Sequence, residues 1–423
     1  MTQLITLPYG REGITVNLGH FAARFHIIEH RRKLPPPITA DDLHRSFDRP
    51  IASPSLKEVI KPSNSLCIVT SDGTRPYVPM RFMLHGLLDH LGFIPHETVV
   101  ITGSGSHTPH TAGELEEIFC KKLLSQLTVI SHDSRSADNV VVGHFVDGHP
   151  IIMNRHYAAA DKRIVLGHIE PHLFAGFTGG AKGVAPALCG IDTIHHLHSY
   201  KAIADESSTY GDIEHNASMA LMREAAAAAP PDFLVNLILN EEQQPVAVFS
   251  GHYIEAHRAG VAQARRWAEA EVKGRFPIVI TSNSGHPLDQ NLYQTVKGID
   301  AAGQIVEPGG TVIIVSQCAK GIPAGSRFEK ILAADDSIET ILGNLSEESD
   351  RTDDRWQVQR LCQVLAHCKV ILVSSLDKAT VTRCKIGYAE TVESALEEAL
   401  AENKGTADVG ILTYGPLTLP CLI

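Results

Sequence analysis

Apolar residues follow two rhythms along this chain: short unbroken or alternating runs, and longer stretches where every third or fourth position is apolar. The first rhythm marks strands and the second marks helices. "LITLPYGREGITVNL" (residues 4–18) alternates on either side of a Tyr-Gly-Arg-Glu-Gly turn and predicts a β-hairpin. The Pro-rich "RRKLPPPITA" that comes later reads as a connector. "SLCIVTSD" (65–72) predicts a buried strand, "VPMRFMLHGLLDHLG" (78–92) an amphipathic helix ended by Gly92, and "ETVVITG" (97–103) another strand. "TAGELEEIFCKKLL" (111–124) opens with Thr111 and Glu114 at capping-box spacing, a specific helix start. Strands are expected again at 127–133, 140–146 and 163–169, and helices at 217–229 and 253–272. After "KGRFP" the alternation restarts with a strand at 278–283 and a helix at 289–305. Strands at 311–316 and 370–375 and a helix at 391–403 complete it.

Alternating β and α units imply an α/β protein built on mainly parallel, doubly wound sheets with flanking helices. At 423 residues the chain exceeds one ordinary core, so two domains are expected. The break is placed near residues 272–276, giving an N-terminal domain over 1–273 and a C-terminal domain over 274–423, whose last residues return toward the first. Ligands in such folds collect beyond the carboxyl ends of strands and between domains, which puts the site in the interdomain cleft. "EVKGRFP" and the C-terminal return are the candidate hinges for closure around a ligand.

Composition narrows the class. Hydrophobic content of 43% with 20% charged residues suits a soluble globular protein, and no apolar run reaches the ~18 residues that span a bilayer. The start "MTQLITLPYG" has no basic and apolar leader pattern. The eight cysteines are scattered without a CxxC pair, as expected of reduced thiols in a cytoplasmic protein. A net charge of −11 argues against nucleic acid as a partner. Oligomeric state is not readable from the chain. The unusual feature is 23 histidines, many of them between residues 85 and 200.

Several histidines fall at strand ends. "IVTSDGTRP" sets Asp72 and Arg75 after one strand, "ITGSGSHTPH" sets His107 after the next, and "GHIEPH" sets His168, Glu170 and His172 after a third. Arg75 suits a carboxylate or phosphate clamp, or else an ion pair with Asp72. His107 and His172 suit a general acid/base pair, or else hydrogen-bonded structural histidines. Gln294 and Lys297 lie three apart on one helix face, fit for a substrate or phosphate, or merely solvated. Trp356 either packs or caps a planar ligand. The loop "TGSGSHTPH" falls short of a dinucleotide fingerprint because Thr108 stands where glycine is needed. "HIIEH" (His26, Glu29, His30) has the spacing of an inverted zinc-peptidase motif but no third ligand, so a solvated helix face is its simpler reading. "TIHHLHS" offers His195, His196 and His198 to a transition metal, with one as ligand and the rest as surface. Lys182 stands in "FAGFTGGAKGVAP", where Gly and Ala leave its stem uncrowded. It suits a phosphate anchor, a covalent attachment point or a mobile surface lysine.

Taken together, "SDGTRP", "GSHTP", "EPHLFAGFTGGAKGVAP", "TIHHLHS", "GHPLDQNLYQTVKG" and "DRWQVQ" resemble the nickel-dependent lactate racemase family, in order and over nearly the whole chain. The resemblance implies a racemase or epimerase of 2-hydroxyacids. It implies reversible hydride transfer, through a ketoacid, to a nickel-pincer nucleotide (a pyridinium-3,5-bisthiocarboxylic acid mononucleotide). By the same resemblance Lys182 is the covalent attachment residue, His198 the nickel ligand, and His107 and His172 the catalytic histidines. Asp72, Arg75, Gly179, Gly180, Gln294 and Trp356 then contact cofactor, while Arg75, Tyr293 and Lys297 contact substrate. The implied partners are a small 2-hydroxyacid and the separate proteins that make the nucleotide, with no membrane or nucleic acid. Gly73 and His286 depart from residues common in the family, histidine and tyrosine, and "SGSHTP" lacks an aromatic residue of the family's version of that loop. Lactate is the default substrate, with malate, longer or aromatic 2-hydroxyacids and sugar acids open. A metal-dependent hydrolase built on "GHIEPH" and "TIHHLHS", or a non-catalytic cofactor-binding homologue, are the alternatives.

Overall fold

Strands Ser65–Ser71, Glu97–Gly103 and Lys162–His168 form side by side because their runs of Val, Ile and Leu are buried on both faces, as a parallel sheet requires. The computed structural model describes residues 3–29, 34–323, 326–334, 337–347, 352–403 and 407–423. Its first six-stranded sheet runs, in spatial order, Pro245–Gly251, Phe233–Leu239, Lys162–His168, Ser65–Ser71, Glu97–Gly103 and Thr128–Ser131. All neighbours are parallel except the antiparallel edge strand Pro245–Gly251. The chain winds outward from Ser65–Ser71 to one side, then returns with Lys162–His168 on its other side. The crevice where the winding reverses lies between the carboxyl ends of those two strands.

The second six-stranded sheet is parallel throughout. Its order is Gly387–Ala389, Lys369–Val373, Val306–Val315, Phe276–Ser282, Asp408–Leu412 and Arg24–Ile28. Helices cover both sheets. On Met80–Leu91 the residues Met80, Met83, Leu84, Leu87 and Leu91 are buried on one stripe, each worth roughly 1.5–3 kcal/mol of transfer free energy. Gly92, at φ 75°, closes that helix in the left-handed conformation. The capping box opens Ala112–Leu124 as its spacing predicts: Thr111 N donates to Glu114 at 2.8 Å and Glu114 N to the Thr111 hydroxyl at 3.3 Å.

Three segments differ from the sequence expectation. "HIIEH" is not a helix face, because Arg24–Ile28 is the edge strand of the second sheet and pairs with Asp408–Leu412. There His26 Nε2 meets Asp408 at 2.9 Å and Glu29 accepts from the Thr413 hydroxyl at 3.0 Å, while His30 lies outside the described residues. The helix expected to reach residue 272 stops at Ala268. Glu269–Val272 alternates, with Ala270 and Val272 inward, and becomes a strand parallel to Leu419–Leu422. Val140–His144 also leaves the parallel sheet and forms an antiparallel hairpin with Pro150–Met153. Among the described residues, no helix is long and apolar enough to cross a membrane.

Candidate active site

The register Ser71↔Gly103 ends two neighbouring strands at one level, so the loops after them face each other. The Asp72 side chain is buried there. Its Oδ2 lies 2.7 Å from His107 Nδ1, its Oδ1 accepts from the Thr74 hydroxyl at 2.6 Å, and Arg75 Nη1 lies 3.7 Å away. Burial pushes the carboxyl upward, but His107, Arg75 and Thr74 outweigh it and hold Asp72 well below the ordinary range. An ionised Asp72 only accepts, so Nδ1 of His107 carries a hydrogen, and in the neutral ring Nε2 is the free nitrogen. The His107 side chain is 42% exposed. It is a base aimed at the cleft.

His172 is arranged the opposite way. It lies in the short hairpin Pro171–His172/Gly176–Phe177 and is buried, and its Nδ1 accepts the Ala175 N–H at 3.3 Å. The proton of its neutral ring is therefore on Nε2. Burial, with Lys182, Lys297, Arg75 and His198 nearby, pushes its basicity well below the usual histidine range. Across one cavity the two rings thus present a bare nitrogen and an N–H.

The Gly-rich loop then turns through Gly180–Gly183. Gly179 (φ 86°) and Gly180 (φ 55°) adopt left-handed backbone, and a Cβ there would lie 2.5 Å from Asn236 Oδ1 and 2.4 Å from His257 Nδ1. Gly180 N–H donates to Asn236 at 2.9 Å. Gly179 lines the cavity, whereas Gly180 backs onto His257 behind it. Lys182 lines the cavity too, half-buried, its ammonium 5.9 Å from the Phe174 ring centre. Burial and the cations Arg75 and Lys297 push its amine down to about 7.

The histidine cluster is divided. His198, just beyond helix Ile191–Leu197, donates from Nδ1 to Ile194 O at 2.9 Å, which leaves Nε2 as a bare donor atom. Burial and Lys182 push it down to about 3, so the ring is neutral. His195 instead pairs with Asp353 at 3.0 Å, and His196 stacks on His149 at 4.4 Å, 3.4 Å from Asp147. Among the described residues no group of three or more His, Cys, Asp and Glu is placed to hold a metal.

The other wall comes from the second sheet's helices. Asn291 caps Leu292–Gly303, whose Tyr293, Gln294 and Lys297 line the cavity. Lys297 is pushed down to about 8 by burial and Arg75, against the pull of Glu170 and Asp72. Trp356, on Arg355–Leu365, donates to the Tyr293 hydroxyl at 2.9 Å and packs 4.6 Å from the His198 ring. The cavity, about 170 Å³, is thus shared by both lobes.

The structure adds residues to those singled out from sequence. Tyr77 donates to Glu170, and Asn236 braces the glycine loop. Asn236 carries a signal, an amide in the middle of the apolar run "FLVNLIL". Tyr77 has none beyond its closeness to Arg75. His286 does not line the main cavity, but borders a second pocket of about 100 Å³ on the far side of His168 and Tyr77.

Two family models match the chain, the lactate racemase N-terminal domain over residues 9–211 and the lactate racemase C-terminal domain over residues 272–416. A lactate racemase of Lactiplantibacillus plantarum is 30% identical over 420 residues, 97% of this chain and 98% of that protein. One from Thermoanaerobacterium thermosaccharolyticum is 30% identical over 375 residues, 88% of each chain. The solved structure of the lactate racemase apoprotein from T. thermosaccharolyticum superposes with a TM-score of 0.92 at 27% identity, covering 99% of this chain and 100% of that one. A Thermotoga maritima protein shares the fold at a TM-score of 0.69 and 15% identity, with 93% of this chain covered and 100% of its own.

Proposed function

The chain belongs to the lactate racemase family and is a racemase of that kind; from this premise we propose that it interconverts 2-hydroxycarboxylate stereoisomers by reversible hydride transfer, using a lysine-linked nickel-pincer nucleotide. The observation that carries the proposal is the pair of oppositely protonated histidines, His107 and His172, across a cavity that also holds Lys182 and His198.

The residues fit the nucleotide. Lys182 is half-buried and its amine is pushed down to about 7, so a large share of it is an uncharged nucleophile near neutral pH. His198 offers a single bare Nε2, which suits a metal that brings its other donors with it. A protein-only zinc site of the hydrolase type takes at least three side-chain ligands. Trp356 supplies a flat wall over His198, and Asp72, Gln294 and Gly179 line the same space. When bound, the group supplies an acceptor for the C2 hydrogen as hydride, which spares the substrate a doubly charged carbanion.

The protein's own part is binding, orientation and proton handling. Arg75 and Lys297 take the substrate carboxylate, with Tyr293 beside them. His107 Nε2 takes the hydroxyl proton as the C2–O bond becomes a carbonyl, and ionised Asp72 stabilises the imidazolium that results. Once the ketoacid has turned its other face, its carbonyl oxygen accepts a hydrogen bond from His172 Nε2–H. The proton held on the His107 imidazolium returns to that oxygen, so both rings end as they began. In the reverse direction the same groups retrace these steps. The proposal includes a cytoplasmic setting and separate proteins that synthesise the nucleotide.

The experiment is mass spectrometry with nickel analysis on protein made beside the cofactor-synthesis machinery, followed by a panel of chiral 2-hydroxyacids. An adduct on Lys182, stoichiometric nickel and racemisation of at least one acid are expected. Unmodified Lys182 without nickel, under conditions that load a known family member, sinks the proposal. Stoichiometric cofactor without turnover on any 2-hydroxyacid identifies a carrier instead.

A further inference from the structure

Trp356 stands on a helix of the C-terminal lobe but is buried in the core of the other lobe. Val358, Leu361 and Cys362 of helix Arg355–Leu365 belong to the core of the second sheet, whereas Trp356 joins the cluster that holds Phe174, Ile194 and Leu197. The indole reaches across the cleft, so its place depends on how the start of its helix is docked. Asp353, three residues before it, makes that contact. Its Oδ1 lies 3.0 Å from His195 Nε2, and its Oδ2 pairs with Arg135. His195 is buried and its Nδ1 has no partner among the described residues, so the Asp353 bond is what satisfies the ring. The neighbouring Asp354 turns the other way, and accepts from the Ser326 hydroxyl at 2.9 Å and from Arg327 N at 3.0 Å. Two adjacent aspartates thus bind opposite lobes.

We propose that Asp353 is a positioning residue: by docking the start of the Trp356 helix on His195, it seats the indole against His198 and sets the flat wall of the nucleotide site. The contacts stand by themselves, and only the purpose of the wall rests on the racemase reading. His195 lies on helix Ile191–Leu197, whose Ile194 carbonyl also fixes His198 Nδ1 at 2.9 Å. One short helix therefore orients the His198 ring and receives the helix that carries its 4.6 Å stacking partner. Farther along, Gln359 Nε2 donates to Tyr200 O at 3.0 Å and ties the Trp356 helix to the same lobe again. Arg135 is half-exposed and forms the weaker arm, because an ion pair in solvent is worth little. The His195 arm is buried, and a ring nitrogen that loses its partner there is costly to leave unpaired.

The test uses Trp267→Phe protein, in which Trp356 is the sole tryptophan. Without cofactor, acrylamide should quench Trp356 weakly in this parent, where the residue is 5% exposed. Asp353→Ala and His195→Phe are each expected to strengthen quenching severalfold, and the double variant should go no further than either alone. Asp353→Asn keeps an oxygen that accepts from His195 and should stay near the parent, as should Arg135→Ala. On loaded enzyme with D- and L-lactate, D353A is expected to lose roughly 10- to 100-fold in kcat with KM little changed, because Arg75 and Lys297 are untouched. Unchanged quenching in D353A overturns the proposal, and so does stronger quenching with kcat intact. Should the loaded parent racemise no 2-hydroxyacid, the functional reading falls, and the quenching alone decides whether Asp353 seats Trp356.

Discussion

Nδ1 of His107 lies 2.7 Å from Oδ2 of Asp72, and the aspartate is buried while the histidine faces the cleft. The pair fixes which ring nitrogen is free and stabilises the imidazolium that forms when the ring takes a proton. Asp72→Asn keeps the size and removes the charge. Turnover is expected to fall on the order of 10²–10⁴-fold with substrate KM less affected. Steady-state kinetics on loaded enzyme checks this, and a KM effect with kcat intact counts against the pairing.

The opposite protonation of His107 and His172 predicts that neither substitutes for the other. His107→Ala and His172→Ala are each expected to lose roughly 10²–10⁴ in racemisation from either enantiomer. Because the C2 hydrogen leaves as hydride, the loaded parent enzyme in D₂O should return the opposite isomer with little solvent deuterium at C2. Proton NMR of the product reads this directly, and full deuterium incorporation points to simple deprotonation instead.

Lys182 is held at about 7, so above that pH its amine is largely neutral while exposed lysines remain charged. At pH 8 a small acylating reagent applied to cofactor-free protein is expected to modify Lys182 ahead of the surface lysines. The rate of Lys182 modification should fall below pH 6 as the amine protonates, while its lead over the surface lysines persists. Peptide mapping with time checks the order. Lys182→Arg keeps the charge and is expected to abolish covalent loading altogether.

Glu170 also shapes acid stability. Its carboxyl is held at about 2 in the fold, against roughly 4.3 when unfolded, so the folded state binds the proton less readily. The stabilisation from its ion pairs is therefore fully present above the unfolded value and drains away as pH falls from about 4.5 toward 2. Thermal melts across that window should fall more steeply for the parent than for Glu170→Gln. Parallel curves would mean that Glu170 is not ion-paired in solution.

Much of this architecture is legible in the chain because it is local. Unbroken Val and Ile runs name the central strands, and polar residues just past them, Asp72, Arg75, His107 and His172, fall where parallel strands end. The spacing of Gln294 and Lys297 puts both on the cavity face of one helix. What is not legible depends on partners far away in sequence. Arg24–Ile28 is a strand because Asp408–Leu412 is there to receive it, and Glu269–Val272 because Leu419–Leu422 is. Tyr77 and Glu170 meet across 93 residues, and nothing in either local pattern announces the other. The cluster "TIHHLHS" shows a donor for a metal without showing which of its histidines faces the cavity. The Nδ1 bond of His198 to Ile194 and the diversion of His195 to Asp353 make that distinction.

The glycines before Lys182 make the last prediction, and it separates packing from ligand contact. Gly180 does not touch the cavity, yet its backbone is left-handed at φ 55° and a Cβ would overlap His257 Nδ1 at 2.4 Å. His257 has little freedom to yield, because it is buried and its Nε2 bonds Thr178 O at 2.9 Å. Gly180→Ala therefore carries a left-handed backbone cost of about 1–2 kcal/mol and an overpacking cost of about 1–3 kcal/mol. The unfolding midpoint of cofactor-free protein should fall by several degrees, before any nucleotide is present. His257→Ala opens room for the new methyl group, so the double variant should recover part of the loss that the two single variants predict additively. A Gly180→Ala protein with unchanged stability but impaired loading would instead place this glycine against the nucleotide.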